Sequence, residues 1–311
     1  MASRKSDPSI SVFQKIERLQ GAVGEPKKGP KGSPLSTDTY RPKRGSKGVA
    51  DPQPAAYVDS KRKFVLREEP DQRVRLVRTV ARKATPLSKK KSTDPEDNRV
   101  RITDTTKFPH RVNGLCIMTF PDNEQYIATG TLVSRCHVLT AGHVVYSKDH
   151  GGWAKSVQFN AAQNDWDLPY GSAWAAELIT FKGWIDNELP AWDIGMLILD
   201  RNVGFQTGYM GLYSDFDEYL VGHPITVAGY PADKGGQQLW AATAPINAVN
   251  PYEIFHKAYT KPGMSGAAIY GTWPRLRLEH VCGVHTRGQP DRGSRISDDK
   301  FWRIRNEWLT R

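Results

Sequence analysis

The chain has 311 residues, 44 Lys+Arg against 33 Asp+Glu, a formal net charge of +11 and 38% hydrophobic residues. That length allows one large domain or two small ones. No stretch approaches about eighteen apolar residues, which excludes a transmembrane helix, and three cysteines are too few for a disulfide-stapled scaffold.

Charge divides the chain. Residues 1–91 hold 23 Lys+Arg and 9 Asp+Glu, a net of +14, whereas residues 92–311 hold 21 and 24, a net of −3. The first part has four aromatics (Phe13, Tyr40, Tyr57, Phe64) and none of the nine tryptophans. Such a segment buries too little apolar area to offset chain entropy, so residues 1–91 are expected to be basic and largely disordered, with at most one short helix over Ser9 to Leu19. Its first residues hold no continuous apolar core, so a standard secretory signal peptide is not expected. Segment 73–83, RVRLVRTVARK, alternates basic and apolar residues and suits a solvated linker, a strand or an acidic surface. Nucleic-acid binding is disfavoured, because no aromatic platform or known module accompanies the charge.

Residues 92–311 read as a single all-β domain. Strands are predicted at Gly114–Phe120, Tyr126–Val133, His137–Ala141, Ser156–Asn160, Ala176–Phe181, Ile194–Leu199, Ile225–Gly229, Gln238–Ala244, Gly266–Tyr270 and Glu279–Thr286. They are rich in Val, Ile, Thr and aromatics and are separated by Gly, Pro, Asn and Asp. With no strand–helix alternation, antiparallel barrels are expected rather than a parallel sheet. One helix is predicted, Ser297–Leu309. Ser297 is its N-cap, and Asp298 and Asp299 complement the helix dipole. Phe301, Ile304, Trp308 and Leu309 form its docking face.

Three strings carry chemistry. LTAGHVV, Leu139–Val145, places His143 at a strand end, and an imidazole titrates near neutral pH. AWDIGMLIL, Ala191–Leu199, places Asp193 before an apolar strand, where a carboxylate needs a partner. TKPGMSGAAIY, Thr260–Tyr270, presents Ser265 in a glycine turn that exposes its hydroxyl and aims amide protons at one spot. Each string alone is weak, since a lone histidine is usually structural and Gly-x-Ser-Gly turns arise by chance. Their chain order, His143, Asp193, Ser265, is the chymotrypsin order among serine hydrolases. Ser265 is then the nucleophile, His143 the base and later the acid, and Asp193 the group that orients the imidazole. The amides of Gly263 and Ser265 form the oxyanion hole. Met264 precedes the serine with its side chain expected to face solvent or the leaving-group side.

These strings, with DNRVRITDTTKFP (Asp97–Pro109), YIATGTLVS (Tyr126–Ser134) and GVHTRG (Gly283–Gly288), resemble the trypsin-fold serine proteases, and the glutamyl endopeptidase family most. The resemblance covers nearly all of residues 97–311 and none of 1–91. It implies two antiparallel six-stranded β-barrels, chymotrypsin-like, with a C-terminal helix. It implies a serine endopeptidase working through an acyl-enzyme on protein or peptide substrates, as a monomer. It places Thr260 and His285 in the primary specificity pocket, where a hydroxyl and an imidazole can donate to a substrate carboxylate and favour cleavage after Glu, or Asp. Arg287 would add positive potential at the mouth. Three features depart from the family pattern: Met264 stands where chymotrypsin has Asp, Val144 where a cysteine often follows the histidine, and the secretory signal is not seen. The resemblance implies an extracellular enzyme; the first residues do not. It also implies a mature terminus a few residues before Ile102, and Lys89-Lys90-Lys91 suits a processing cut that frees Ser92. Residues 1–91 are then a removable pro-segment, or else a permanent basic arm for an acidic surface. The alternative function is a degenerate protease-fold interaction protein carrying that arm.

The histidines at 110, 137, 150, 223, 256 and 280 show no metal-ligand spacing, and no metal or organic cofactor is expected. Cys116, Cys136 and Cys282 fall on or beside predicted strands, either with one pair bonded or as buried free thiols.

Overall fold

β-Branched and aromatic residues at alternate positions give a strand a face to bury, and antiparallel pairing of such strands can close a sheet on itself. The computed structural model describes residues 37–40, 97–273, 276 and 278–311. Two short strands, β1 (Thr37–Tyr40) and β2 (Val100–Arg101), precede the first barrel. That barrel contains β3 (Asn113–Thr119), β4 (Gln125–Leu132) and β5 (His137–Thr140), and then, after a small hairpin of β6 (Tyr146–Ser147) and β7 (Gly152–Trp153), β8 (Ser156–Ala161), β9 (Ser172–Phe181) and β10 (Gly195–Leu199). Its strand order is β9-β10-β5-β4-β3-β8, and pairing of β8 with β9 closes it.

The second barrel comes after β11 (Gly211–Leu212). It contains β12 (Pro224–Gly229), β13 (Trp240–Val249), β14 (Glu253–His256), β15 (Ala268–Gly271), β16 (His280–Arg287) and β17 (Arg292–Arg295). Its order is β15-β12-β13-β14-β17-β16, closed by β15 with β16. β2 pairs with β13, so the chain before the first barrel is tied to the second. The expected pair of six-stranded antiparallel barrels is therefore present. Leu115, Leu132, Leu139, Phe159 and Leu178 fill the first, and Val227, Ile246, Ile254, Ile269 and Val284 are buried in the second.

Three local differences have physical causes. β14 and β17 have no counterpart among the predicted strands. EIFH is too short to show a period, and RGSR has no apolar alternation; each is a strand because the barrel offers both its edges partners. Within residues 1–91, expected to be largely disordered, Thr37–Tyr40 pair antiparallel with Leu178–Phe181 of β9; the rest of 1–91, including 9–19, 73–83 and the Lys89–Lys91 cluster, lies outside the described residues. The C-terminal helix starts after Ser297 as expected, but it is α-helical only over Asp298–Arg303 and continues as a π-helical turn, Ile304–Trp308. Ser297 caps by position without a side-chain cap bond, because its hydroxyl donates to Asp299. Ile304 and Trp308 are fully buried and Trp308 packs on Phe181 of β9, so the expected docking face is used. Among the described residues, no helix is long and apolar enough to cross a membrane.

Candidate active site

Strand register places the first two residues. β5 and β10 are antiparallel neighbours with Thr140 opposite Gly195, so the residues after Thr140 lie beside those before Gly195. Ala141 leads into a single helical turn, Gly142–Val145, which carries His143, while a 3-10 turn, Pro190–Trp192, ends at Asp193. His143 Nδ1 lies 2.9 and 3.1 Å from the two carboxylate oxygens of Asp193, and the His143 amide donates to the same carboxylate at 2.9 Å. The Asp193 side chain is 3% exposed and that of His143 16%. A buried carboxylate holding both the amide and Nδ1–H sets the ring's tautomer and leaves Nε2 as its basic atom. Thr180 of β9 steadies the neighbouring chain by donating to the Ile194 carbonyl at 2.7 Å.

Ser265 belongs to the other barrel, in the turn before β15. Gly263 and Gly266 both have positive φ, at 95° and 85°. A Cβ on Gly263 would stand 2.3 Å from the Tyr230 carbonyl, and one on Gly266 would stand 2.2 Å from both Thr129 O and Thr140 Oγ1. Only glycine fits there, which is why the serine is bracketed by glycines. The contact at Gly266 also reaches the Ala141 amide, two residues before His143. Thr129 of β4 clamps the turn across the seam. Its amide donates to the Ser265 carbonyl at 2.8 Å, its hydroxyl donates to Gly263 O at 2.9 Å, and that hydroxyl accepts the Tyr230 amide at 3.0 Å. Ser265 is half-buried between a buried Met264 and a buried Gly266. Met264 therefore does not face solvent or a leaving group: it is fully buried in the second barrel's core, and the turn's curvature sends it inward.

Thr260 and His285 are both buried, at 7% and 2% exposed, and each already has a partner. His285 Nδ1 lies 3.3 Å from His256 Nε2. Burial, with His256 and His143 adding to it, holds His285 well below the ordinary imidazole value, and burial lowers His256 to about 4. His285 is thus neutral near pH 7: it offers a hydrogen bond and no positive charge. The Thr260 hydroxyl donates to Asp291, a carboxyl whose pKa burial raises. Both groups lie 3.6 Å from where a Cβ on exposed Gly288 would be.

Thr129 and Asp291 are the site residues that sequence reasoning misses. Thr129 lies in a strand buried along nearly its whole length, where a threonine reads as an ordinary strand residue, and Asp291 sits in a Pro-Asp turn of ordinary composition. Cys116, Cys136 and Cys282 are all free thiols, so the bonded alternative is not formed. Burial raises the Cys116 and Cys282 thiols, the latter to about 12, which makes them inert. Among the described residues, no group of three or more His, Cys, Asp and Glu side chains is placed to hold a metal ion.

Comparison with known proteins fits this geometry. Residues 128–272 match the family described as "Trypsin-like peptidase domain". A Bacillus subtilis protein named extracellular metalloprotease is 31% identical over 208 residues, covering 66% of each chain. A glutamyl endopeptidase of Bacillus licheniformis is 28% identical over 224 residues, covering 70% of this chain and 69% of its own. The solved structure of a Glu endopeptidase superposes with a TM-score of 0.61 at 23% identity, over 70% of this chain and 99% of that one, which shows the shared fold. Residues 128–272 thus form a trypsin-like peptidase domain, and the protein is a serine protease of the chymotrypsin fold that resembles the glutamyl endopeptidases.

Proposed function

We propose that the protein is a serine endopeptidase that hydrolyses peptide bonds through Ser265, His143 and Asp193. The observation that carries this is the doubly held His143–Asp193 pair, with the Ser265 turn clamped to Thr129 of β4 and its Gly266 backbone packed against Thr140 and Ala141, just ahead of His143. Ser265 Oγ attacks the scissile carbonyl as His143 Nε2 takes its proton. A C–O bond forms, the carbonyl π bond opens to an oxyanion, and the amides of Gly263 and Ser265 donate to it. Collapse expels the amine, protonated by His143, and leaves an acyl-serine. Water then repeats the sequence in reverse, and Asp193 stabilises the imidazolium at each stage. Ser265→Ala lowers kcat by at least about 10⁴-fold and abolishes labelling by a serine-directed phosphonate. Near-wild-type cleavage by that variant would remove Ser265 from the reaction, and an unlabelled wild type would favour the degenerate interaction protein.

Preference for Glu, and then Asp, before the scissile bond rests on Thr260, on His285 and on the likeness to glutamyl endopeptidases. A neutral His285 donates one hydrogen bond to a substrate carboxylate, and Thr260 turns its hydroxyl from Asp291 to the substrate. One observation favours a second reading: the Asp291 carboxylate beside Thr260 suits a basic substrate side chain. Peptides differing only at that residue decide between them, because cleavage after Glu supports the first and cleavage after Lys or Arg the second.

Residues 1–91 are proposed as a removable pro-segment. Asn98 accepts the Tyr259 amide at 3.1 Å and Arg99 stacks on the Tyr259 ring, so the chain beyond the cut passes next to Thr260. A new amino terminus at Ser92 lies within roughly 20 Å of that point even if extended.

A further inference from the structure

The most unusual group outside the site is a buried cation. Lys300, in α1 (Asp298–Arg303), is 0% exposed. An ammonium out of water is costly unless its N–H groups all meet acceptors. Lys300 Nζ donates to the Ala191 carbonyl, to Ser294 Oγ at 2.9 Å and to the Arg295 carbonyl at 3.0 Å, with the Tyr252 carbonyl at 3.4 Å. Ser294 Oγ donates in turn to the same Ala191 carbonyl at 2.5 Å. The Trp192 and Tyr252 rings flank Nζ at 5.0 and 5.3 Å. Four acceptors around one nitrogen use all three N–H groups of an ammonium, where a neutral amine supplies only two.

The cage lies two residues from the reacting constellation. Ala191 is the middle residue of the Pro190–Trp192 turn, and Asp193 closes that turn by donating its backbone N–H to the Pro190 carbonyl at 3.2 Å. Lys300 therefore joins three elements, α1, β17 and the turn that ends in Asp193. The charged groups around it are Asp299 on α1, Glu253 on β14, Arg295 on β17 and Asp193 on the turn. Burial lowers its pKa to about 7, while Asp299, Glu253 and Asp193 oppose that shift.

We propose that Lys300 is a positioning residue: its ammonium pins the Ala191 carbonyl to the C-terminal helix and so holds Asp193 against His143. This rests on the triad proposed above. A purely structural role would be served as well by an apolar side chain of equal length, since a buried charge is rarely the more stable choice. A positioning role also acts on the His143 titration, because removing a cation near Asp193 strengthens the carboxylate's hold on the imidazolium.

The test compares Lys300→Met and Ser294→Ala with wild type that labels with a serine-directed phosphonate. Lys300→Met is expected to lower kcat about tenfold or more with KM nearly unchanged. It also moves the acid limb of the kcat/KM–pH profile up by about half a unit or more. Ser294→Ala keeps the charge, so it is expected to lower kcat without moving the limb. Lys300→Met with wild-type kcat and an unmoved limb overturns the proposal. Where Lys300→Met does not fold, Ser294→Ala decides, and wild-type kcat there overturns it too. A wild type that neither labels nor cleaves removes the triad reading itself, which is seen before any variant is compared.

Discussion

Thr129 shows how one hydroxyl can join two barrels. It donates to Gly263 O and accepts the Tyr230 amide, while its backbone amide holds Ser265 O. Replacing it with valine keeps the volume and strands a buried donor and a buried acceptor, at about 1–3 kcal/mol each. Thr129→Val is expected to lower Tm by several degrees and kcat/KM by about tenfold to a hundredfold. Thr129→Ser, which restores the hydroxyl, returns most of both. Equal activity in the two variants, measured on one peptide substrate, would show that the turn holds itself. Asp291 makes the complementary point: a side chain that no pattern singles out has its carboxyl on the hydroxyl expected to read the substrate.

Among elements, β1 has the largest consequence. It lies four residues deep on the edge of β9, the strand whose opposite edge pairs with β10 and so with the turn that ends in Asp193. An edge strand gains stability from ladder bonds and the partial cover of Thr37 and Thr39, both half-buried. A cut after Lys91 leaves those bonds intact. Freshly cut material is therefore expected to give two N-termini, Ser92 and one upstream of Thr37, and release of residues 1–91 then to leave Ser92 alone in the fully active enzyme. An intact upstream terminus retained in fully active material would sink the pro-segment reading. Deleting residues 1–45 is also expected to speed amide exchange at Leu178–Phe181 by about tenfold, with β3 and β4 unchanged.

Across the protein as a whole, the interior is sensitive to acid. Burial lowers His110, His137, His223, His256 and His285, with His256 at about 4 and His285 well below the ordinary value. An unfolded chain protonates these rings below about 6.5, whereas the folded chain does not take up those protons until lower pH. The unfolded state then binds more protons, so stability falls as pH drops from about 6.5 toward 4. Tm is expected to be roughly 5 °C lower at pH 5 than at pH 7.5. An equal or higher Tm at pH 5 would mean that the rings are solvated or paired when charged.

Consecutive residues suffice for the strand-rich domain, for ten of its strands within a few positions, for the docked C-terminal face and for the string that carries each of His143, Asp193 and Ser265. These are local facts: alternation, turn residues and a glycine-bracketed serine are written in neighbouring positions. β14 and β17 are invisible there because their strand character comes from the strands beside them rather than from their own short, polar text. Thr129, Asp291 and Lys300 are invisible for the same reason, since their roles depend on partners 134, 31 and 109 residues away. The meeting of those side chains is set by folding in three dimensions, because a hydrogen bond across a barrel seam is a fact about distance in space and leaves no period in the chain.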